Sequence, residues 1–108
     1  MKTILITGAN RGIGLELARQ LTSPKNRILA TCRNPDQAVE LQQLARDSQD
    51  NIEVLSLDVD RETSIVQLSE TLQDRGETID ILFNNAGIID WRNMQEIDAE
   101  TMQQVYKI

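Results

Sequence analysis

Glycines at positions 8, 12 and 14, in the stretch TGANRGIG (7–14), stand where an apolar run gives way to a helical pattern. A glycine has no Cβ, so another group can approach its main chain closely. The first amides of a helix lack internal partners and carry partial positive charge, which suits an anion such as a phosphate. Gly8 would permit the tight exit from the apolar run, Gly12 would open the main chain to a pyrophosphate, and Gly14 would let helix and strand pack closely. Arg11 lies among these glycines, and Arg33-Asn34 follows the next apolar run. Two guanidinium groups can hold a dianion through charge-assisted hydrogen bonds worth about 1.5–3 kcal/mol each. The competing readings are a glycine turn serving packing alone and two ordinary exposed arginines.

These residues need strands and helices to position them. Residues 2–6, ending at Thr7-Gly8, read as a strand buried on both faces. A helix is expected from about Arg11 to Leu21, with Ile13, Leu17, Ala18 and Leu21 on one side. Ser23-Pro24-Lys25-Asn26 marks a turn, and residues 27–32 (RILATC) read as the second strand. Asn34 is expected to cap a helix that has Pro35 in its first position and Ala38, Leu41, Leu44 and Ala45 facing inward. Asp50-Asn51 ends it, and residues 52–57 form the third strand. Asp60 is expected to cap a helix carrying Ile65, Leu68 and Leu72 and stopping near Gly76. Residues 79–83 read as the fourth strand, followed by the turn Asn84-Asn85-Ala86-Gly87. Asp98 can cap a last helix that buries Met102, Val105 and Tyr106. Strand and helix alternate four times with short connections, which predicts an α/β fold. Its parallel strands would be joined by right-handed crossovers, with helices on both faces.

The whole chain of 108 residues suits one domain. A net charge of −6 argues against a nucleic-acid partner, which needs clustered positive charge. Cys32, the one cysteine, rules out an internal disulfide and fits a reducing compartment; its expected role is a small buried filler. The longest early apolar run, Ile4-Leu5-Ile6, is too short for a signal core or a membrane span. A cytoplasmic protein with no membrane partner is the expectation, and no residue set suggests a metal site.

The spacing Gly-x-x-x-Gly-x-Gly, Asp58-Val59 after the third strand and Asn84-Asn85-Ala86-Gly87 after the fourth together resemble the short-chain dehydrogenase/reductase family, along the whole chain. The resemblance implies a Rossmann-type sheet in strand order 3-2-1-4, with residues 1–108 forming a partial NADP(H)-binding domain. Asn10, Arg11 and Ile13 would then contact cofactor phosphate and ribose, and Asp58 and Val59 would border the adenine. Asn85, Ala86 and Gly87 would line the cofactor's ribose side, while Thr7 and Asn84 would tie the ends of strands one and four. An NAD site usually holds an acid at the end of strand two. Here that strand runs into Arg33, and Asp36 falls beyond Pro35. Arg33, with Asn34 beside it, occupies the place where a 2′-phosphate would project, and Arg11 faces the same region. NADP(H) is therefore the expected cofactor. The segments GANRGIGLELARQL and ATCRNP look like NADPH-dependent carbonyl reductases of the sniffer and C-factor type.

The family's proton donor is a tyrosine with a lysine four residues on, assisted by a serine. Tyr106 is followed directly by Lys107, so that pattern is missing, and no histidine can replace it. The catalytic residues have no positions in this sequence, which predicts the cofactor half of a reductase, inactive alone. An aldehyde, ketone or quinone would be its substrate only once the fold is completed. The alternatives are a nucleotide-binding or self-associating fragment without turnover, and a half-fold without affinity. The fourth strand would present an exposed edge, so a homo-oligomer through that strand and the last helix is expected. Trp91 could lie near substrate entry or cover the start of the last helix, and the sequence leaves both open.

Overall fold

Four short apolar runs pair into one parallel sheet in the computed structural model, which describes residues 1–85. The strands are β1 (Lys2–Thr7), β2 (Asn26–Cys32), β3 (Ile52–Ser56) and β4 (Ile81–Asn84), in the order β3-β2-β1-β4. Register aligns Leu5 with Leu29 and Leu82, and Ile4 with Ile28 and Ile81. Side chains of a strand alternate between faces, so these two rows point in opposite directions. Leu5, Leu29 and Leu82 pack against Ile65, Leu68 and Leu72 of helix α3 (Glu62–Asp74). Ile4, Ile6, Ile28 and Ala30 pack on the other face against Leu15 and Ala18 of α1 (Gly12–Leu21) and Leu41 of α2 (Val39–Asp47). Each fully buried Leu or Ile contributes about 1.5–3 kcal/mol. Both faces of the sheet are filled, which is why β1 and β2 read as unbroken apolar runs.

Several expected boundaries differ, three of them by more than a residue's shift at a strand end. The helix expected from Asn34 is interrupted: Pro35–Gln37 form a 3-10 turn, and Ala38, with ψ at 69°, separates it from α2. Asn34 makes no side-chain cap. Ala38 is buried against the sheet, whereas residues 35–37 offer no buried side chain to hold a regular first turn there. Asp60 does not cap α3 either: Arg61 occupies the cap position, without a side-chain bond. Asp60 instead donates its main-chain N–H to Asp58 Oδ1 at 3.0 Å, and the Asp58 N–H reaches back to Ser64 Oγ at 2.9 Å. The fourth strand begins at Ile81 rather than at residue 79. Ile79 is buried in the α3-side core but lies outside the ladder.

The amino-terminal ends of the strands are held by charge. Arg27 on β2 donates to Glu77 Oε1 at 2.8 Å and to Glu53 Oε1 on β3 at 2.7 Å, while Arg75 donates to the other oxygen of Glu53 at 2.7 Å. Burial pushes the Glu53 carboxyl up, but hydrogen bonds from Arg75 and Arg27 outweigh it and hold the group below its ordinary value. No helix among the described residues is long and apolar enough to cross a membrane. The expectations for Ala86, Gly87, Trp91 and the helix after Asp98 lie outside the described residues.

Candidate functional site

At the carboxyl ends of the strands the chain must turn from sheet to helix, and the turn after β1 is the tightest. Gly8 and Gly12 adopt φ of 62° and 58°, a left-handed conformation that strains any residue with a Cβ. Between them Ala9 is fully buried and donates its N–H to Thr31 O at 2.9 Å, which pins the floor of the turn to β2. Asn10, Arg11 and Ile13 remain exposed above that floor.

Gly14 meets a different demand. A Cβ built there would lie 2.8 Å from Asn85 Nδ2 and 2.9 Å from the carbonyl carbon of Gly8, so helix and turn close on each other only without one. A Cβ built on Gly12 meets nothing within 4 Å. Gly12 thus leaves open a space that the described residues do not fill.

Helix α1 begins beneath that space. Arg11 is its cap residue, in extended conformation and without a side-chain bond, and no acid lies in the first turn. Helices α2 and α3, by contrast, carry Glu40 and Glu62 in their first turns. The first amides of α1 thus have neither a side-chain cap nor an acid of their own first turn beside them.

Thr7 closes the other side of the mouth. Its buried hydroxyl accepts the Asn85 N–H at 2.9 Å and lies 3.1 Å from Asn84 Oδ1, to which it donates. The Asn85 side-chain amide donates to Gly8 O at 3.3 Å. Thr7 and Asn84 tie the strand ends, as the family resemblance implied.

The resulting cleft encloses about 660 Å³. From the glycine turn it is lined by Gly8, Asn10, Arg11, Gly12 and Ile13, and from the end of β2 by Arg33 and Asn34. Val59 and Asn85 line it as well. Gly14 supports the floor rather than lining the cleft, and Asp58 does not line it. Three further lining residues, Gln37, Leu57 and Cys32, were not assigned to the site from the sequence. Gln37 enters because the 3-10 turn presents it, which an expected continuous helix concealed. Leu57 enters because its N–H extends the ladder to Cys32 O past the end of β3. Cys32 lines the wall but is almost fully buried, and burial raises its thiol pKa, with the Asn34 main chain pulling weakly the other way.

The two arginines differ in their surroundings. Arg11 has no side-chain partner among the described residues. Arg33 lies between two acids, with Nε 3.8 Å from Asp58 Oδ1 and Nη2 3.3 Å from Asp60 Oδ2. Among the described residues no three His, Cys, Asp or Glu side chains gather as a metal site would require.

Comparison with known proteins gives the same architecture a family context. The family model described as short chain dehydrogenase matches residues 2–108. Salutaridine reductase from Papaver bracteatum is 34% identical over 90 residues, which cover 82% of this chain and 29% of that protein. The NADPH-dependent pterin aldehyde reductase of Arabidopsis thaliana is 29% identical over 105 residues, covering 96% of this chain and 43% of that one. Among solved structures, a carbonyl reductase from Pseudomonas aeruginosa PAO1 superimposes with a TM-score of 0.72 at 32% identity, covering 98% of this chain and 49% of that one. The chain spans about a third of the length of the first curated relatives it matches.

Proposed function

The chain belongs to the short-chain dehydrogenase family of oxidoreductases, and on that footing we propose that it forms the NADP(H)-binding part of an enzyme reducing a carbonyl compound. One observation carries the reading. Arg11 and Arg33, from the turns after different strands, line the same cleft as an uncapped helix start and a glycine with open space above it.

The chemistry of the cleft suits the group. The α1 amides and Gly12 would take the pyrophosphate, with Asn10 and Ile13 beside it. Val59 and Leu57 would flank the adenine, and Asn85, followed by Ala86 and Gly87, would line the ribose side. Arg33, with Asn34 beside it, and Arg11 would hold the 2′-phosphate. In this assignment Asp58 acts on Arg33 instead of touching the base. When bound, the cofactor would supply the hydride to the carbonyl carbon, and the carbonyl oxygen would take its proton from the completed enzyme to give an alcohol. Within residues 1–85 the assignment comprises cofactor contacts only. The name of the Arabidopsis thaliana relative, an NADPH-dependent aldehyde reductase, agrees with both halves of the proposal.

Fluorescence titration with NADPH and NADH tests it. Tighter binding of NADPH by tenfold or more, in order-of-magnitude terms, is expected from one or two additional charge-assisted hydrogen bonds. Equal affinities would overturn the cofactor assignment.

A second reading concerns self-association. Among the described residues β4 pairs only with β1, so its outer edge keeps unpaired main-chain groups that favour a second strand. Sedimentation velocity at micromolar concentration is expected to show a dimer. A monomer would exclude it.

A further inference from the structure

Arg33 has its side chain 64% exposed and is engaged by carboxylates at two positions of its fork. Asp58 faces Nε, Asp60 faces Nη2, and among the described residues nothing pairs with Nη1. A guanidinium grips a phosphate best through two parallel N–H donors. Asp60 therefore occupies half of the Nη1/Nη2 edge.

The two acids are not equivalent. Asp58 is largely enclosed, and its Oδ1 also accepts the Asp60 N–H at 3.0 Å. Its place is fixed by the turn, and it orients Arg33 from the Nε side. The Asp60 side chain is 77% exposed and has Arg33 as its one partner among the described residues. Exposed ion pairs of this kind are weak, so an arriving dianion can take Nη2 from Asp60. The Asp60 carboxylate cannot then go far, because its main chain is held on Asp58. It remains beside the phosphate as a like charge.

We infer that Asp60 is a specificity-determining positioning residue, which acts through Arg33 to weaken binding of 2′-phosphorylated nucleotides relative to unphosphorylated ones. The inference rests on the NADP(H) reading and deepens it. The cleft carries both a clamp for the extra phosphate and a counterweight that limits it. Removing the counterweight sharpens the preference for the 2′-phosphate without touching the glycine turn or the adenine walls.

Calorimetric titration of the full chain with 2′,5′-ADP and 5′-AMP separates these terms, using the unmodified protein, Asp60→Asn, Asp60→Glu and Arg33→Ala. Asp60→Asn keeps the side-chain shape and removes the charge. It is expected to tighten 2′,5′-ADP by roughly three- to tenfold and to leave 5′-AMP unchanged. Asp60→Glu restores the charge and is expected to match the unmodified protein. If the unmodified chain prefers 2′,5′-ADP through Arg33 but Asp60→Asn leaves that affinity unchanged or lowers it, the inference is wrong and the cofactor reading stands. An equal gain for both nucleotides would also refute it, since a general structural effect moves both. If the unmodified chain shows no preference for 2′,5′-ADP, or binds neither nucleotide, the NADP(H) reading itself falls.

Discussion

Gly14 lies directly under the carbonyl of Gly8, so close that a Cβ on Gly14 would come within 2.9 Å of the Gly8 carbonyl carbon. The contact is main chain against main chain, and neither side can rotate away. Gly14→Ala is therefore expected to destabilise the fold by about 3 kcal/mol, the upper end of the usual cost of overpacking. Gly12→Ala meets no atom of the described residues. It carries only the left-handed backbone penalty of about 1–2 kcal/mol, yet it fills the space above α1. Urea unfolding should rank Gly14→Ala as the less stable variant, while NADPH titration of folded Gly12→Ala should show lost affinity.

Arg33→Ala is expected to weaken NADPH by about tenfold or more and to leave NADH nearly unaffected, because the hydrogen bonds removed go only to the additional phosphate. Parallel fluorescence titrations check this. A matching loss for both cofactors would show that Arg33 supports the strand end and not the nucleotide.

Thr7 offers a test of the seam between β1 and β4. Its hydroxyl is fully buried and bridges Asn84 Oδ1 and the Asn85 N–H. Thr7→Val keeps the shape and strands both partners, at an expected cost of about 1–3 kcal/mol. Chemical denaturation measures it, and Thr7→Ser should recover most of the loss.

Glu53 gives the stability of the sheet a pH dependence. Its folded-state pKa is depressed, burial being outweighed by Arg75 and Arg27. A depressed carboxyl contributes stability that is present above its unfolded value, about 4.3, and is lost as pH falls through the folded value. Glu53→Gln should therefore unfold at lower urea than the unmodified protein at pH 7, and the gap should shrink below about pH 4. A gap independent of pH would assign the effect to packing.

The Cys32 thiol is buried, and its desolvation disfavours the thiolate. The thiolate is the reactive form. Alkylation at pH 8 is expected to proceed at the rate of unfolding and to accelerate in urea together with the loss of structure. Rapid alkylation of the native chain would refute this.

Much of the sheet was legible in the sequence because both of its faces are covered. β1 and β2 then had to be apolar without alternation, and the glycines had to fall at the strand end. What the sequence concealed depended on short-range competition. Asn34-Pro35 has the composition of a helix start, but the burial of Ala38 holds the chain to the sheet and leaves residues 35–37 in a 3-10 turn. Asp60 has the composition of a cap, but Asp58, two residues earlier, binds its N–H first and leaves its carboxylate to Arg33. Leu57 was read as the end of a strand. It also forms a wall of the cleft, a role that spacing along the chain does not encode.

The seam at Thr7 also sets an order of events during synthesis. A chain made from its amino terminus exposes Gly8 to Gly14 early, whereas Asn85 follows Thr7 by 78 positions. Until residue 85 leaves the ribosome, the Gly8 carbonyl lacks its amide partner and the Thr7 hydroxyl lacks its donor. The stretch translated first is thus completed late, when the end of β4 reaches it and closes the turn after β1 from the far side.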